Sequence, residues 1–234
     1  MEDLGKRLDK LAEWLFWARH PLILTGAGIS TDSGLRDYRG PDGVWTRQEK
    51  GLETPEIDWT TAHPNQGHWA VSEIYRLGKL KFLVSQNVDN LHRRAGIPDE
   101  CIAELHGNYA LMRCPVCEHT APAENGQVVC NCGVDYISSI IHFGMQLPEK
   151  AVADAFSHAA RSDLFIVLGS SLVVTPAADL PAESLRAGAR LVIVNKGETP
   201  YDDEAHLLFS EHITDVLLPL VERLHWLSRK VDIL

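Results

Sequence analysis

The feature that most constrains the fold is a short apolar run that ends in two closely spaced glycines. Residues 21–24 read Pro-Leu-Ile-Leu, which is typical of a buried strand. Gly26 and Gly28 follow, and without a Cβ they permit a tight turn and the close approach of a ligand. The small and hydroxyl residues after them are typical of a helix start, where free N–H groups can bind phosphate. The pattern predicts a diphosphate-binding turn in an α/β fold. An ordinary βα turn is the alternative, since Thr31 stands at the third glycine position of the dinucleotide fingerprint.

The rest of the chain alternates between strand and helix patterns. Strands are predicted over residues 21–24, 81–85, 163–168 and 190–194, and helices over 4–19, 65–77, 149–161, 176–187 and 214–227. This alternation predicts a Rossmann-like parallel sheet with helices on both faces. Polar residues follow four of the strands, and ligands of such sheets bind at the carboxyl edge. Residues 41–66 are interrupted by proline and glycine, which predicts a long loop that could cover a cofactor.

Four cysteines occur as two tight pairs. Cys114 and Cys117 are separated by two residues, and Cys130 and Cys132 by one. Two such pairs can hold one tetrahedral zinc ion, whereas free or redox-active thiols are the alternative. A closed four-cysteine site is structural, because it leaves no open position for water. We therefore predict a zinc-binding module over residues 112–137, inserted into a Rossmann-like domain over residues 1–111 and 138–234.

Composition narrows the classes of function. A length of 234 residues fits one large domain with a small insert. A net charge of −10 argues against non-specific nucleic-acid binding and suits a cationic partner such as a lysine-bearing peptide. We expect neither a membrane span nor a signal peptide, since no apolar stretch is long enough and the chain begins with acidic residues. The chain has five cysteines, and an odd count with tight pairs fits a reducing compartment better than it fits disulfides. We therefore expect a cytoplasmic location.

Three further segments contain candidate functional side chains. His106 precedes a glycine, so it can project from a turn, and its near-neutral pKa suits a general base, although a lone histidine is usually structural. Asn87 and Asp89 follow a strand, where they could either bind a ligand or cap a helix. Residues 140–144 are apolar and are expected to be extended, either as a core strand or as a peptide-binding edge.

Together, these motifs resemble those of the sirtuins, the NAD-dependent protein deacylases, over almost the whole chain. The resemblance rests on residues 26–30, 33–34, 37–39, 86–92, 104–108 and 169–171 and on the cysteine pairs, all in family order. Residues 43–46 and 82–87 are most similar to class IV. The chain departs from the family pattern at Arg36 and Tyr38, where proline and phenylalanine are usual, and at Met145, where glutamate is common.

The resemblance implies NAD-dependent removal of an acetyl or long-chain acyl group from protein lysine, giving nicotinamide and O-acyl-ADP-ribose. It implies that His106 is the base, assisted by Asn87 and Asp89. The implied NAD-binding residues are Gly26, Ala27, Gly28, Ser30, Thr31, Asp37, Tyr38, Arg39, Trp45, Gln86, Asn87, Asp89, Gly169, Ser170, Ser171, Asn195 and Ile213. The implied zinc ligands are Cys114, Cys117, Cys130 and Cys132, and the implied contacts to an acyl-lysine peptide are Ile141, His142, Phe143 and Gly144.

The same motifs leave other functions open. Mono-ADP-ribosyl transfer to a protein or simple NAD hydrolysis would use the same site with another nucleophile, and a zinc module could sense NAD or ADP-ribose without turnover. Hydride transfer is disfavoured because the third fingerprint glycine is missing. The helix predicted at 65–77 lacks the Tyr-x-x-Arg pair of desuccinylating sirtuins, so the resemblance implies a preference for neutral acyl groups. Glu73 would repel an anionic acyl group if it faced the acyl pocket.

Overall fold

A computed structural model of the chain describes residues 3–55, 57–126 and 128–231. The strands are β1 Pro21–Thr25, β2 Phe82–Ser85, β3 Ile102–Glu104, β4 Leu111–Arg113, β5 Thr120–Pro122, β6 Ile137–Ser138, β7 Leu164–Leu168, β8 Arg190–Val194 and β9 Leu207–Phe209. The α-helices are α1 Leu4–Trp17, α2 Val44–Glu49, α3 Gln66–Arg76, α4 Leu91–Arg94, α5 Glu149–Ala159, α6 Leu180–Arg186 and α7 Ile213–Val231.

Six strands form a fully parallel sheet in the order β3-β2-β1-β7-β8-β9. This arrangement confirms the predicted α/β fold. The chain builds outward from β1 through β2 to β3, and then in the opposite direction from β7 through β8 to β9. The reversal lies between β1 and β7. In open sheets of this kind, ligands bind outside the carboxyl ends of the strands at such a reversal.

The sheet is buried on both faces, each with its own apolar core. In β1, Ile23 points into a core shared with α1, α3 and α7, whereas Leu22 and Leu24 point into a core shared with α5 and α6. This alternation follows from the two-residue period of a strand. It explains why the strands are continuously apolar: both faces are covered, so no residue of β1 reaches solvent.

The second sheet is antiparallel, in the order β5-β4-β6, and contains the cysteines. It extends from Leu111 to Ser138, and its core includes Cys114, Cys130 and Tyr136. The division of the chain into an inserted module over 112–137 and a Rossmann-like domain stays a prediction.

The structure differs from the predicted elements in several places, including the short helix α4, which was not predicted. The loop predicted over 41–66 contains the helix α2, and the edge strands β3 and β9 were not predicted. The segment 140–144 is extended only in part, because a turn closes where Met145 donates its N–H to the His142 carbonyl at 3.0 Å. The α1 helix ends at Trp17, since Ala18 is extended with a ψ of 139°.

None of the helices within residues 3–55, 57–126 and 128–231 is long and apolar enough to span a membrane.

Candidate active site

Two glycine turns interlock at the reversal between β1 and β7. Gly26 donates its N–H to the Leu168 carbonyl at 3.0 Å, and Gly28 donates its N–H to the Gly169 carbonyl at 3.0 Å. A Cβ on Gly26 would lie 2.6 Å from the Gly169 oxygen, and one on Gly28 would lie 2.7 Å from the Gly169 Cα. Gly169 itself has a left-handed φ of +62°. These glycines therefore permit direct backbone packing between the two turns, a reason that the sequence pattern did not reveal.

Ser30, Asn87 and Asp89 form one buried polar cluster at this edge. The Ser30 hydroxyl donates to Asp89 Oδ2 at 2.6 Å, and Asn87 Nδ2 donates to Ser30 Oγ and to the Gly26 carbonyl, both at 3.1 Å. Asp89 Oδ1 also accepts the Leu91 N–H at 3.0 Å, so the carboxylate holds the first turn of α4 as well. Burial raises the pKa of Asp89, while the hydrogen bonds from Ser30 and Leu91 oppose that shift.

His106 stands on a tight turn directly after β3. Its Nδ1 lies 2.8 Å from the Gln86 carbonyl oxygen, and Gln86 follows the neighbouring strand β2. Because a carbonyl only accepts, Nδ1 carries the proton in the neutral ring and Nε2 carries the lone pair. Within residues 3–55, 57–126 and 128–231, the His106 Nε2 has no hydrogen-bonding partner. Burial lowers the pKa of His106, and the hydrogen bond to Gln86 partly offsets this, so the neutral base is favoured.

The turn depends on the glycine that follows His106. Gly107 has a φ of +80°, and a Cβ there would lie 1.8 Å from the Ser139 carbonyl oxygen. The sequence motif indicated a glycine turn, whereas the contact with Ser139 is visible only in the fold. Ile141 then donates its N–H to the His106 carbonyl at 2.9 Å, which places the segment 140–144 alongside this turn. Ile141 is buried, whereas His142, Phe143 and Gly144 are exposed.

Two buried histidines that had no predicted role lie behind the polar cluster. The rings of His68 and His92 are 4.8 Å apart between centroids. The His92 Nε2 is 3.0 Å from the Thr25 hydroxyl oxygen, and the His68 Nε2 is 3.5 Å from that of Ser30. Burial lowers the pKa of His68 to about 4 and that of His92 well below its usual value. For His68, the sequence signal was its place in a capping box with Asn65 at the start of α3.

An aromatic cluster joins the loop after the glycine turn to its surroundings. The Arg39 guanidinium carbon lies 4.1 Å from the Trp45 ring centroid, and one guanidinium nitrogen donates to Ser171 Oγ at 3.2 Å. The Trp45 ring is 5.0 Å from that of Tyr38 and 5.7 Å from that of Phe143. The loop therefore contacts both the β7 turn and the segment 140–144.

The two remaining family departures and Glu73 also have defined places. Arg36 donates to the Asp42 carboxylate at 3.3 Å, and Asp42 also accepts from Arg47. Arg36 therefore stabilises the loop that follows the glycine turn. Met145 closes the turn described above. Glu73 pairs with Arg76 at 3.0 Å and with His225 at 3.1 Å, so its carboxylate contacts the neighbouring helix α7.

The other predicted NAD-binding residues lie at the same edge of the sheet. The Ser170 hydroxyl donates to Gln86 Oε1 at 2.6 Å, which joins the turns after β7 and β2. Asp37 Oδ1 accepts the Gly40 N–H at 2.9 Å, and Asn195 Nδ2 donates to the Gly197 carbonyl at 2.8 Å. By position, Ala27 and Thr31 follow β1, Asn195 follows β8, and Ile213 begins α7.

The four predicted metal ligands converge. The Sγ atoms of Cys114, Cys117, Cys130 and Cys132 all lie within 4.8 Å of one another. Three of the separations are 3.4, 3.6 and 3.8 Å. Zn–S bonds of about 2.3 Å in a tetrahedron place the sulfur atoms roughly 3.8 Å apart, so the set fits zinc. Cys101 is remote from this set and contacts the Tyr75 hydroxyl, with 3.8 Å between the sulfur and oxygen atoms.

Comparison with known proteins agrees with this arrangement. A sequence model of the Sir2 family matches residues 52–176. The NAD-dependent protein deacetylase SRT1 of Arabidopsis thaliana is 36% identical over 94% of this chain and 49% of that protein. The chain thus spans about half the length of this plant relative. The NAD-dependent protein deacetylase 1 of Bradyrhizobium diazoefficiens is 36% identical over 94% of this chain and 97% of that protein.

Solved structures give the same result. A structure of Sir2 with a p53 peptide and NAD+ has a TM-score of 0.74 and 35% identity, and the match covers 91% of this chain and 96% of that one. A structure of Sir2Tm bound to a propionylated peptide has a TM-score of 0.74 and 33% identity over 92% of this chain and 97% of that one. Since the family model, the relatives and the fold agree with the sequence motifs, the chain belongs to the Sir2 family.

Proposed function

We propose that this protein is a lysine deacylase that consumes NAD and releases nicotinamide and O-acyl-ADP-ribose. The observation that carries the proposal is the geometry of His106, a neutral imidazole with its Nε2 lone pair available at the ligand-binding edge of the sheet. The relatives named NAD-dependent protein deacetylase and the Sir2 structures with NAD+ or acylated peptide support it.

The polar edge is chemically suited to NAD. Asp89, Asn87 and Ser30 supply a carboxylate, a carboxamide and a hydroxyl within one hydrogen-bonded cluster. Such groups can bind ribose hydroxyls and the amide of nicotinamide. The interlocked turns at Gly26 and Gly169 would lie nearest the diphosphate. Tyr38, Arg39 and Trp45 would cover the nicotinamide ribose, and Asn195 and Ile213 would contact the adenosine end.

In this proposal His106 acts as a general base. The amide oxygen of the acyl-lysine would first attack the ribose carbon as nicotinamide leaves, which gives an imidate. His106 Nε2 would then take the proton from a ribose hydroxyl, whose oxygen attacks the imidate carbon. Water would complete the release of the lysine amine, and the acyl group would stay on ADP-ribose. The Gln86 carbonyl accepts from Nδ1–H and therefore stabilises the imidazolium that forms. Asn87 and Asp89 orient the ribose and a water molecule. The acyl-lysine peptide would lie against residues 141–144, of which residues 142–144 are exposed, and it would add there as a strand.

The four cysteines would hold one structural zinc ion, which would stabilise the fold of the second sheet and take no part in the reaction.

We further propose activity on acetyl and longer neutral acyl chains, membership of class IV, and a cytoplasmic location. The last is supported by thiols grouped for metal binding, as is usual in a reducing compartment.

A panel of acyl-lysine peptides incubated with NAD tests the proposal, with the products identified by mass spectrometry. We expect free lysine peptide, nicotinamide and O-acyl-ADP-ribose in equal amounts. ADP-ribose attached to protein would instead indicate mono-ADP-ribosyl transfer, and free ADP-ribose formed without peptide would indicate NAD hydrolysis. The absence of nicotinamide release by zinc-loaded protein that binds NAD would favour a sensing module.

A further inference from the structure

The turn that carries His106 begins with a buried carboxylate. Glu104 is the last residue of β3 and lies opposite Ser85, the last residue of β2. Its side chain is only 8% exposed. Burial of a carboxylate is costly unless its oxygens are fully paired, so the partners of Glu104 indicate what the group does.

One oxygen of Glu104 closes the turn around His106. Asn108 Nδ2 donates to Glu104 Oε1 at 2.7 Å, and the Gly107 N–H donates to the Glu104 carbonyl at 3.1 Å. The residues on either side of His106 are thus joined by one side-chain and one main-chain hydrogen bond. Asn108 is itself only 1% exposed, so the pair is shielded from solvent.

The other oxygen joins this turn to the segment that holds Asp89. The Arg93 Nε of α4 donates to Glu104 Oε2 at 2.8 Å. Asn108 Nδ2 also donates to Asn90 Oδ1 at 2.9 Å, and Asn90 directly follows Asp89 in the chain. The turn of His106 is therefore linked to α4 directly by Glu104, and through Asn108, which Glu104 also holds, to the residue that precedes α4.

We propose that Glu104 is a positioning residue that sets the orientation of His106 relative to Asp89. The catalytic consequence of this inference rests on the proposed function, whereas the orientation itself does not. A carboxylate is required because it accepts from Asn108 and Arg93 at the same time. A glutamine has a single acceptor oxygen and would present an N–H to one of these two donors.

The charge state of Glu104 adds a dependence on pH. Burial raises the pKa of Glu104 to about 7, the Asp89 carboxylate adds to the shift, and Arg93 and Asn108 oppose it. Arg93 also pairs with Asp99, so protonation of Glu104 leaves that arginine with another partner. The link to α4 is then weakened as pH falls through about 7.

The test compares Glu104→Gln and Asn108→Ala with Glu73→Gln, a paired glutamate on α3 whose partners are Arg76 and His225. The imidazole of His106 is titrated by NMR in each zinc-loaded protein, and kcat and KM for NAD are measured from pH 6 to 9 with an acetyl-lysine peptide. In Glu104→Gln and Asn108→Ala we expect the His106 pKa to rise toward the ordinary value of a histidine, because a displaced ring is less buried. We expect kcat to fall about tenfold with KM changed less than about twofold, and Glu104→Gln to lose its rate dependence near pH 7.

Glu73→Gln should match the wild type in all of these measurements. Wild-type His106 signals and kcat in both folded site variants would overturn the inference, as would a lower melting temperature with unchanged kcat per folded molecule. If the wild type itself proves inactive, the proposed function fails, and the His106 titration alone decides whether Glu104 positions the ring.

Discussion

The Nδ1 atom of His106 lies 2.8 Å from the carbonyl oxygen of Gln86, across the carboxyl ends of the neighbouring strands β3 and β2. This contact determines which nitrogen carries the proton in the neutral ring, and it leaves Nε2 as the acceptor. It also separates two possible roles of His106. A base acts through Nε2, whereas a purely structural histidine would act through its contact with Gln86.

His106→Ala should fold, bind zinc and bind NAD, yet lose deacylation. Removal of a positioned general base typically lowers the rate by about a hundredfold to ten-thousandfold. Nicotinamide exchange should be less affected, since the base acts after nicotinamide leaves. The measurements are a thermal melt, an NAD titration and a deacylation assay, with His225→Ala in the second half of α7 as control. Near-normal turnover by well-folded His106→Ala would exclude it as the base.

Cys114→Ser should release zinc and lower the melting temperature. The buried Cys114 lies 3.4 Å, sulfur to sulfur, from Cys132, and structural zinc binding is coupled to folding. The zinc content by elemental analysis should fall from one ion per chain to well below one. Cys101→Ser is the matched control, because Cys101 lies outside the cluster and should leave zinc content unchanged. Stable, active and metal-free wild-type protein would contradict the prediction.

Neutral acyl groups should be preferred over succinyl or malonyl groups. The helix α3 lacks the Tyr-x-x-Arg spacing of desuccinylating sirtuins, and its Arg76 pairs with Glu73. An anionic acyl group would therefore lose its water without gaining a cation from this helix. The measurement is kcat/KM on acetyl-, myristoyl- and succinyl-lysine forms of one peptide. A higher value for the succinyl form than for both others would refute the prediction.

Acid should destabilise the fold through His68. The unfolded pKa is 6.5 and the folded pKa is about 4, so only the unfolded chain takes up a proton between these values. The free energy of unfolding therefore decreases as pH falls from 6.5 to about 4, by up to roughly 3 kcal/mol from this one group. Charging His68 would also place a cation 4.8 Å from the His92 ring centroid.

Urea unfolding at pH 7 and pH 4.5 checks this. His68→Gln should be less stable at pH 7, because it loses ring packing, but should lose less additional stability on acidification than the wild type. His142→Gln, at an exposed histidine, should retain the wild-type pH dependence. Equal acid sensitivity in His68→Gln and the wild type would show that His68 does not contribute.

Local patterns in the sequence were sufficient for the main elements and for the four-cysteine cluster. The strand β1 was predicted because both of its faces are buried, which makes its residues continuously apolar. The cysteine pairs were recognisable because two ligands on one tight turn need a fixed, short spacing, and the structure brings all four together. The order of the motifs likewise indicated the family.

The tertiary structure alone decided what these elements contact. The strands β3 and β9 have three residues each, too few for a periodic pattern, and they form only because β2 and β8 offer free edges. Gly28 and Gly169 are far apart in the chain, so their close packing has no local signature. The same holds for His68 with His92, and for Glu104 with Arg93 and Asn108: each depends on elements that meet only after the sheet has assembled.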